Sequence, residues 1–101
     1  MARQGSILYE AATQALASTP ALIDWSGWGE GATDRMVNMS FDGTNTNLFR
    51  VVNASDGAVG YLVPAATAAI LGPFSVYSGP WYLLGTDADT VGLAISLDEG
   101  V

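Results

Sequence analysis

The sequence predicts an all-β fold: a small antiparallel β-sandwich or jelly-roll-like barrel of seven to eight short strands, with an N-terminal arm or short helix. Three observations carry this. Apolar and polar residues alternate with a period of two, most cleanly over 35–41 and 90–97. Clusters of turn formers separate these segments at roughly the spacing of an all-β sandwich or barrel. Strands alternating with long helical patterns are absent, which argues against a parallel α/β sheet. With 101 residues the chain makes one domain. Its expected division is an arm or short helix over 1–20 and a single β domain over 21–101.

Residues 7–19 place Leu8, Ala12, Ala15 and Leu16 at roughly helical spacing in an Ala-rich setting, before Pro20. The apolar face is thin and a free helix of this length is marginal in water, so a helix and an extended arm stay open. Ala21–Trp25 is a short strand, and 26–33 reads as a loop around Trp28 and Glu30. Over 35–41, Val37, Met39 and Phe41 share one face. Residues 42–47, Asp-Gly-Thr-Asn-Thr-Asn, form a turn, and Leu48–Ala54 is the next strand. Asp56-Gly57 between two apolar runs is the strongest hairpin signal in the chain. The strand after it, Val59–Val63, ends at Pro64, which has no N–H for a ladder. Ala68–Phe74 is a strand whose Gly72-Pro73 marks an edge or bend. Residues 77–80 turn, Trp81–Thr86 is strand-like, and Asp87-Ala-Asp89 turns again. In Thr90–Leu97, Val91, Leu93, Ile95 and Leu97 point one way.

Composition excludes whole classes of chemistry. The chain holds no Lys, no His and no Cys. Disulfides, zinc–thiolate sites, thiol nucleophiles and Schiff-base lysines are therefore impossible, as is a Ser-His-Asp triad within this chain. No cofactor and no transition metal is expected. Three Arg against ten acidic residues give a net charge of −7, which disfavours nucleic acid as a partner. The N-terminus lacks the pattern of a signal peptide. The longest apolar stretch, 61–74, is broken by Pro64, Gly72 and Pro73 and falls short of the ~20 residues of a membrane span. A soluble chain without a membrane partner is expected.

The acidic residues offer three chemical readings. Asp87 and Asp89 could supply oxygens to Ca²⁺, but the EF-hand glycine and distal Glu are missing, and Asp-rich turns have local hydrogen-bonding reasons. A homodimeric aspartic protease needs Asp-Thr-Gly or Asp-Ser-Gly, whereas Asp42-Gly-Thr and Asp56-Gly-Ala are in the wrong order and sit where turns explain them. A carboxylate-pair glycosidase is permitted, but no particular pair is marked out. Aromatic residues offer an interaction reading. Trp81 reads as core or rim. Trp25 and Trp28, set among glycines, suggest at least one exposed ring. Charged residues are only 13% of the chain, against ~25% in ordinary domains, and a weakly charged surface with aromatics is what interface centres look like.

The second half resembles small structural proteins of tailed bacteriophages. The likeness rests on Val51-Val-Asn-Ala54 with Asp56-Gly57, Val63-Pro-Ala, Ile70-Leu-Gly-Pro-Phe74, Trp81-Tyr-Leu-Leu-Gly85 and Ala88-Asp-Thr-Val-Gly-Leu-Ala94, and covers about residues 48–97. It implies a compact β-sandwich or barrel on the virion, assembled in the host cytoplasm and acting as a head decoration or cement protein or as part of a tail or fibre. The expected function is then non-enzymatic: a symmetric homo-oligomer, with a trimer matching a local three-fold, that binds the major capsid protein between capsomers. Ile7, Leu8 and Tyr9 in the N-terminal arm are the first candidates for contacts, with Trp25 and Trp28 beside them. The alternative is a carbohydrate- or receptor-binding module stacking sugars on Trp25, Trp28 and Tyr82. A small carboxylate hydrolase is the third reading.

Overall fold

In a computed structural model that describes residues 4–29, 36–57, 60–75 and 80–98, the chain forms two four-stranded antiparallel sheets. The strands are β1 (Gln4–Ala15), β2 (Ala21–Leu22), β3 (Met36–Asp42), β4 (Phe49–Val52), β5 (Gly60–Val63), β6 (Ala68–Ser75), β7 (Tyr82–Leu84) and β8 (Thr90–Asp98). A 3-10 turn, Ser26–Gly29, follows β2. The first sheet has the order β1-β8-β3-β6 and the second β2-β7-β4-β5. Four nested antiparallel pairs are visible in these orders: β4–β5, β3–β6, β2–β7 and β1–β8. They amount to one long ribbon folded back at its middle. Winding the ribbon joins β3 to β8 and β4 to β7 and closes a jelly roll.

The ribbon turns where the sequence has Asp56-Gly57. Gly57 donates its N–H to Ala54 O at 3.0 Å, and its φ of 71° is one that glycine adopts without strain. Alternation then decides which residues enter the core. Val37, Met39 and Phe41 of β3 and Val91, Leu93 and Ile95 of β8 face Phe49, Val51, Val63 and Leu83 of the other sheet, all essentially solvent-free. Phe41 meets Phe49 edge to face at 5.0 Å. Phe74 and Trp81, 4.6 Å apart, belong to the same core, and Tyr61, half exposed at its rim, packs against both.

Of the two alternatives left open for the N-terminal segment, the helix is not found and the chain is extended. Residues 4–15 are a strand of the sandwich itself, paired with β8 from Gln4↔Asp98 to Ala15↔Thr90. Leu8 and Tyr9 pack on the core, and Leu16 beyond the strand end is fully inside it. Ala-rich composition favours helix only weakly, and the open side of β8 overrides it. The single β domain thus takes in the segment before residue 21. The expected strand 21–25 shortens to two residues. Residues 77–79 of the expected turn, the residue Val59, and Glu30 with the rest of the loop from 30 to 33 lie outside the described residues.

Each free sheet edge carries a feature that discourages pairing with another chain. β1 has three register shifts. β6 has one between the Val37 and Met39 pairings, beside Gly72-Pro73, in line with the edge or bend expected there. β2 and β5 are only two and four residues long.

Candidate interaction surface

One end of the jelly roll gathers the connections β1–β2, β3–β4, β5–β6 and β7–β8, and side-chain hydrogen bonds tie them together. Asp89 accepts the backbone N–H groups of Thr46 at 3.0 Å, Asn47 at 2.9 Å and Thr90 at 2.9 Å. Those donors, Thr46 first, hold its carboxyl below the usual range despite the opposing effect of burial. Asp87 accepts from Ser18 N at 2.8 Å and Ser18 Oγ at 3.1 Å. Asn45, fully buried, donates to Asn47 O at 2.9 Å and Pro64 O at 3.0 Å. Asp87 and Asp89 thus hold two different loops, as turn residues do. Among the described residues no group of three or more metal-ligating side chains comes together.

The middle of the first sheet's outer face is built of small residues, while Ile7 on β1 and Ile70 on β6 are exposed at its sides. A shallow depression of about 220 Å³ is lined by Glu10, Ala12, Ser40, Asp42, Gly92 and Ala94. Glu10 and Asp42 both line it, the two residue types a carboxylate hydrolase would use. Asp42, however, accepts from Thr44 Oγ1 at 2.8 Å, Thr44 N at 3.1 Å and Gly92 N at 3.0 Å. These bonds, the Thr44 hydroxyl first, hold its carboxyl below the usual range, the opposite of what a general acid needs. Asp56, the second acid of the protease comparison, sits in the β4–β5 turn on the other sheet.

The outer face of the second sheet has a different character. Leu48, Arg50 and Val52 point outward from β4; Arg50 is flanked by Leu84 of β7 and Leu62 of β5, and Val52 by Tyr82 and Gly60. The turn after β4 folds back over this face: a Cβ on Gly57 would lie 3.0 Å from Leu84 Cδ2 and 3.7 Å from Pro20 Cγ. Val52 is accordingly buried although it lies outside the inter-sheet cluster. Beyond the turn the face is open. Leu22 is 47% exposed, Leu48 54% and Leu62 59%. A groove of about 600 Å³ runs between Leu48, Arg50, Leu84 and Thr86. Arg50 is exposed, and no carboxylate pairs with it among the described residues.

The expected contact residues are dispersed. Ile7 is exposed at 58% on the outer side of β1, whereas Leu8 and Tyr9 pack inward and are only half-buried surface. Trp25 is buried, its ring seated so closely on Gly27 that a Cβ there would run into it. The Trp28 side chain lies outside the described residues. Trp81 is core and Tyr82 is half-buried on the second sheet's outer face. The stacking platform of Trp25, Trp28 and Tyr82 thus has one member inside the protein. Sequence reasoning missed Arg50, Leu48 and Leu62. Their signal was present: β4, β5 and β7 are apolar at both parities, so both faces of the sheet need cover.

No family model, no curated protein and no solved structure matches the chain.

Proposed function

We propose that the protein is a non-enzymatic structural component of a virus particle, a decoration or cement protein of a tailed-bacteriophage head that binds the major capsid protein as a homo-oligomer. The observation that carries this reading is the pairing of a jelly roll with an apolar outer face. The topology β1-β8-β3-β6 over β2-β7-β4-β5 is an architecture used by capsid domains, lectins and cupins. That is an analogy of fold, and a fold by itself hosts many functions. Residue-level features support the shell reading. His and Cys are absent, which removes the metal ligands of a cupin-type centre, and the two carboxylates sharing a depression include one fixed as an ionised hydrogen-bond acceptor. Leu22, Leu48 and Leu62 on one face supply apolar area whose burial is worth about 25 cal/mol per Å². Few charges oppose docking on a neutral shell surface.

The test is co-sedimentation of the purified chain with shells assembled from the capsid protein encoded beside it. Saturable binding that persists at 1 M salt, where screening shortens to ~3 Å, is expected of apolar docking. Absence of binding, with recognition of sugars on a glycan array, would select the carbohydrate-binding reading instead.

A further inference from the structure

The docking surface in that reading can be given a chemistry. We propose that the groove at Arg50 binds an extended segment of the partner protein that carries one carboxylate between apolar residues. The carboxylate meets the guanidinium, and its neighbours pack on Leu48 and Leu84. This rests on the shell-docking reading and states what the capsid surface must offer.

The groove is framed before anything enters it. Its walls come from the four connections gathered at one end of the jelly roll, and each is tied to another. On one side Asp87 holds Ser18, and Gly85 N donates to Ala17 O at 2.7 Å. On the other, Asn47 N donates to Asp89, Asn45 donates to Pro64 O, and Ala66 N donates to Asn45 O at 2.8 Å. Loops tied in this way need little ordering when a ligand arrives, which favours affinity. The volume of about 600 Å³ falls within the range of about 300–1,000 Å³ usual for binding pockets.

The charge in the groove selects the class of ligand. Arg50 stands between Leu84 of β7 and Leu62 of β5. Among the described residues it is the one cation, on a chain of net charge −7, and no carboxylate there pairs with it. Asp87, tied to the groove wall, has both oxygens engaged by Ser18. Asp56, in the turn beyond the other end of β4, does not line the groove. A guanidinium takes a planar carboxylate through two parallel N–H donors, and its stem packs on leucines. A polyanion is disfavoured, because one Arg on an acidic chain offers no row of cations. The groove borders the exposed Leu62, which suits a segment of an apolar protein surface better than a free small acid. A pair formed between leucines is screened less than an open one, in keeping with docking that survives salt.

Nuclear magnetic resonance of the isotope-labelled full chain tests this, with the peptides acetyl-Leu-Asp-Leu-amide and acetyl-Leu-Asn-Leu-amide as probes. The Asp peptide is expected to shift the Arg50 guanidinium signal and the backbone amides of Leu84 and Thr86 saturably, and the Asn peptide to bind about tenfold more weakly or worse. In Arg50→Gln, shown to be folded by circular dichroism, the two peptides bind alike, and Leu48→Ser weakens both. Equal affinity of the native chain for the two peptides, no saturable shift, or shifts confined to the first sheet would overturn the proposal. So would inorganic phosphate moving the Arg50 signal at lower concentration than the Asp peptide does. Arg50→Gln that binds assembled shells with undiminished affinity also overturns it and leaves the shell reading standing. A native chain that takes the Asp peptide but ignores shells refutes the shell reading and leaves the groove's ligand class standing.

Discussion

Asp89 Oδ2 accepts the backbone N–H of Asn47 at 2.9 Å, joining residues 42 apart in sequence. Through this bond and its neighbours the turn before β8 fixes the loop between β3 and β4. Asp42 makes the reciprocal tie from that loop's start to Gly92. Both carboxyls are held below their ordinary range by these donors. A group with a depressed folded pKa adds stability above its unfolded pKa, and that stability is lost as pH falls through the folded pKa. The melting temperature is therefore expected to be level from neutrality to about pH 5 and to fall below about pH 4, near the unfolded carboxyl value. Asp89→Asn, which presents an amide to three N–H donors, lowers stability at pH 7 and flattens the acid limb. Thermal melts across pH check both.

Gly92 is fixed by the same contact. A Cβ there would run into the Asp42 carboxylate. Gly92→Ala is expected to cost stability in spite of alanine's lower unfolded-state entropy, because the shift breaks the hydrogen bonds to Gly92 N and Thr44. Asp42→Ala in the same background relieves the clash, so the two losses are less than additive in urea titrations.

Phe49 is fully buried in the inter-sheet core, edge-on to Phe41. Phe49→Ala removes a large ring from a site walled by both sheets and is expected to cost about 3–5 kcal/mol. Against a total of roughly 5–15 kcal/mol for a domain, that leaves a marginal fold. Denaturant unfolding measures it.

Removal of residues 1–10 is expected to damage the fold itself. That segment carries much of β1, including Leu8 and Tyr9, and its loss bares the edge of β8. Near-UV circular dichroism and the cooperativity of the melt report it. A truncated chain that melts like the full one would contradict the place of β1 in the sandwich.

What the sequence made legible were the strands with one wet and one dry face. β8 alternates through Val91, Leu93 and Ile95, and β3 through Val37, Met39 and Phe41; both lie in mid-sheet, and the residues between are small or polar even where, as at Asn38 and Ser96, they too are buried. Asp56-Gly57 marked the tip of the ribbon because its turn chemistry is local. β1 was hidden for a physical reason. Three register shifts over Gln4–Ala15 break the period of two, and what remains in the Ala-rich stretch mimics a helix. The open apolar face of the second sheet was hidden differently. Leu62 and Leu84 look like core in a linear reading, and only sheet pairing shows that Val63 and Leu83 take the inside. Trp25 misled in the opposite sense, since the glycine that suggested a loose loop at position 27 is the seat for its ring.

The central claim is that the protein works by docking apolar surface on a shell, and occupancy on assembled particles tests it most directly. Shells mixed with the purified chain and pelleted at increasing salt are expected to carry it at a fixed saturating ratio, retained at 1 M salt, with Leu48→Ser and Leu62→Ser lowering occupancy. Shells that pellet without the chain at every salt concentration would contradict the account.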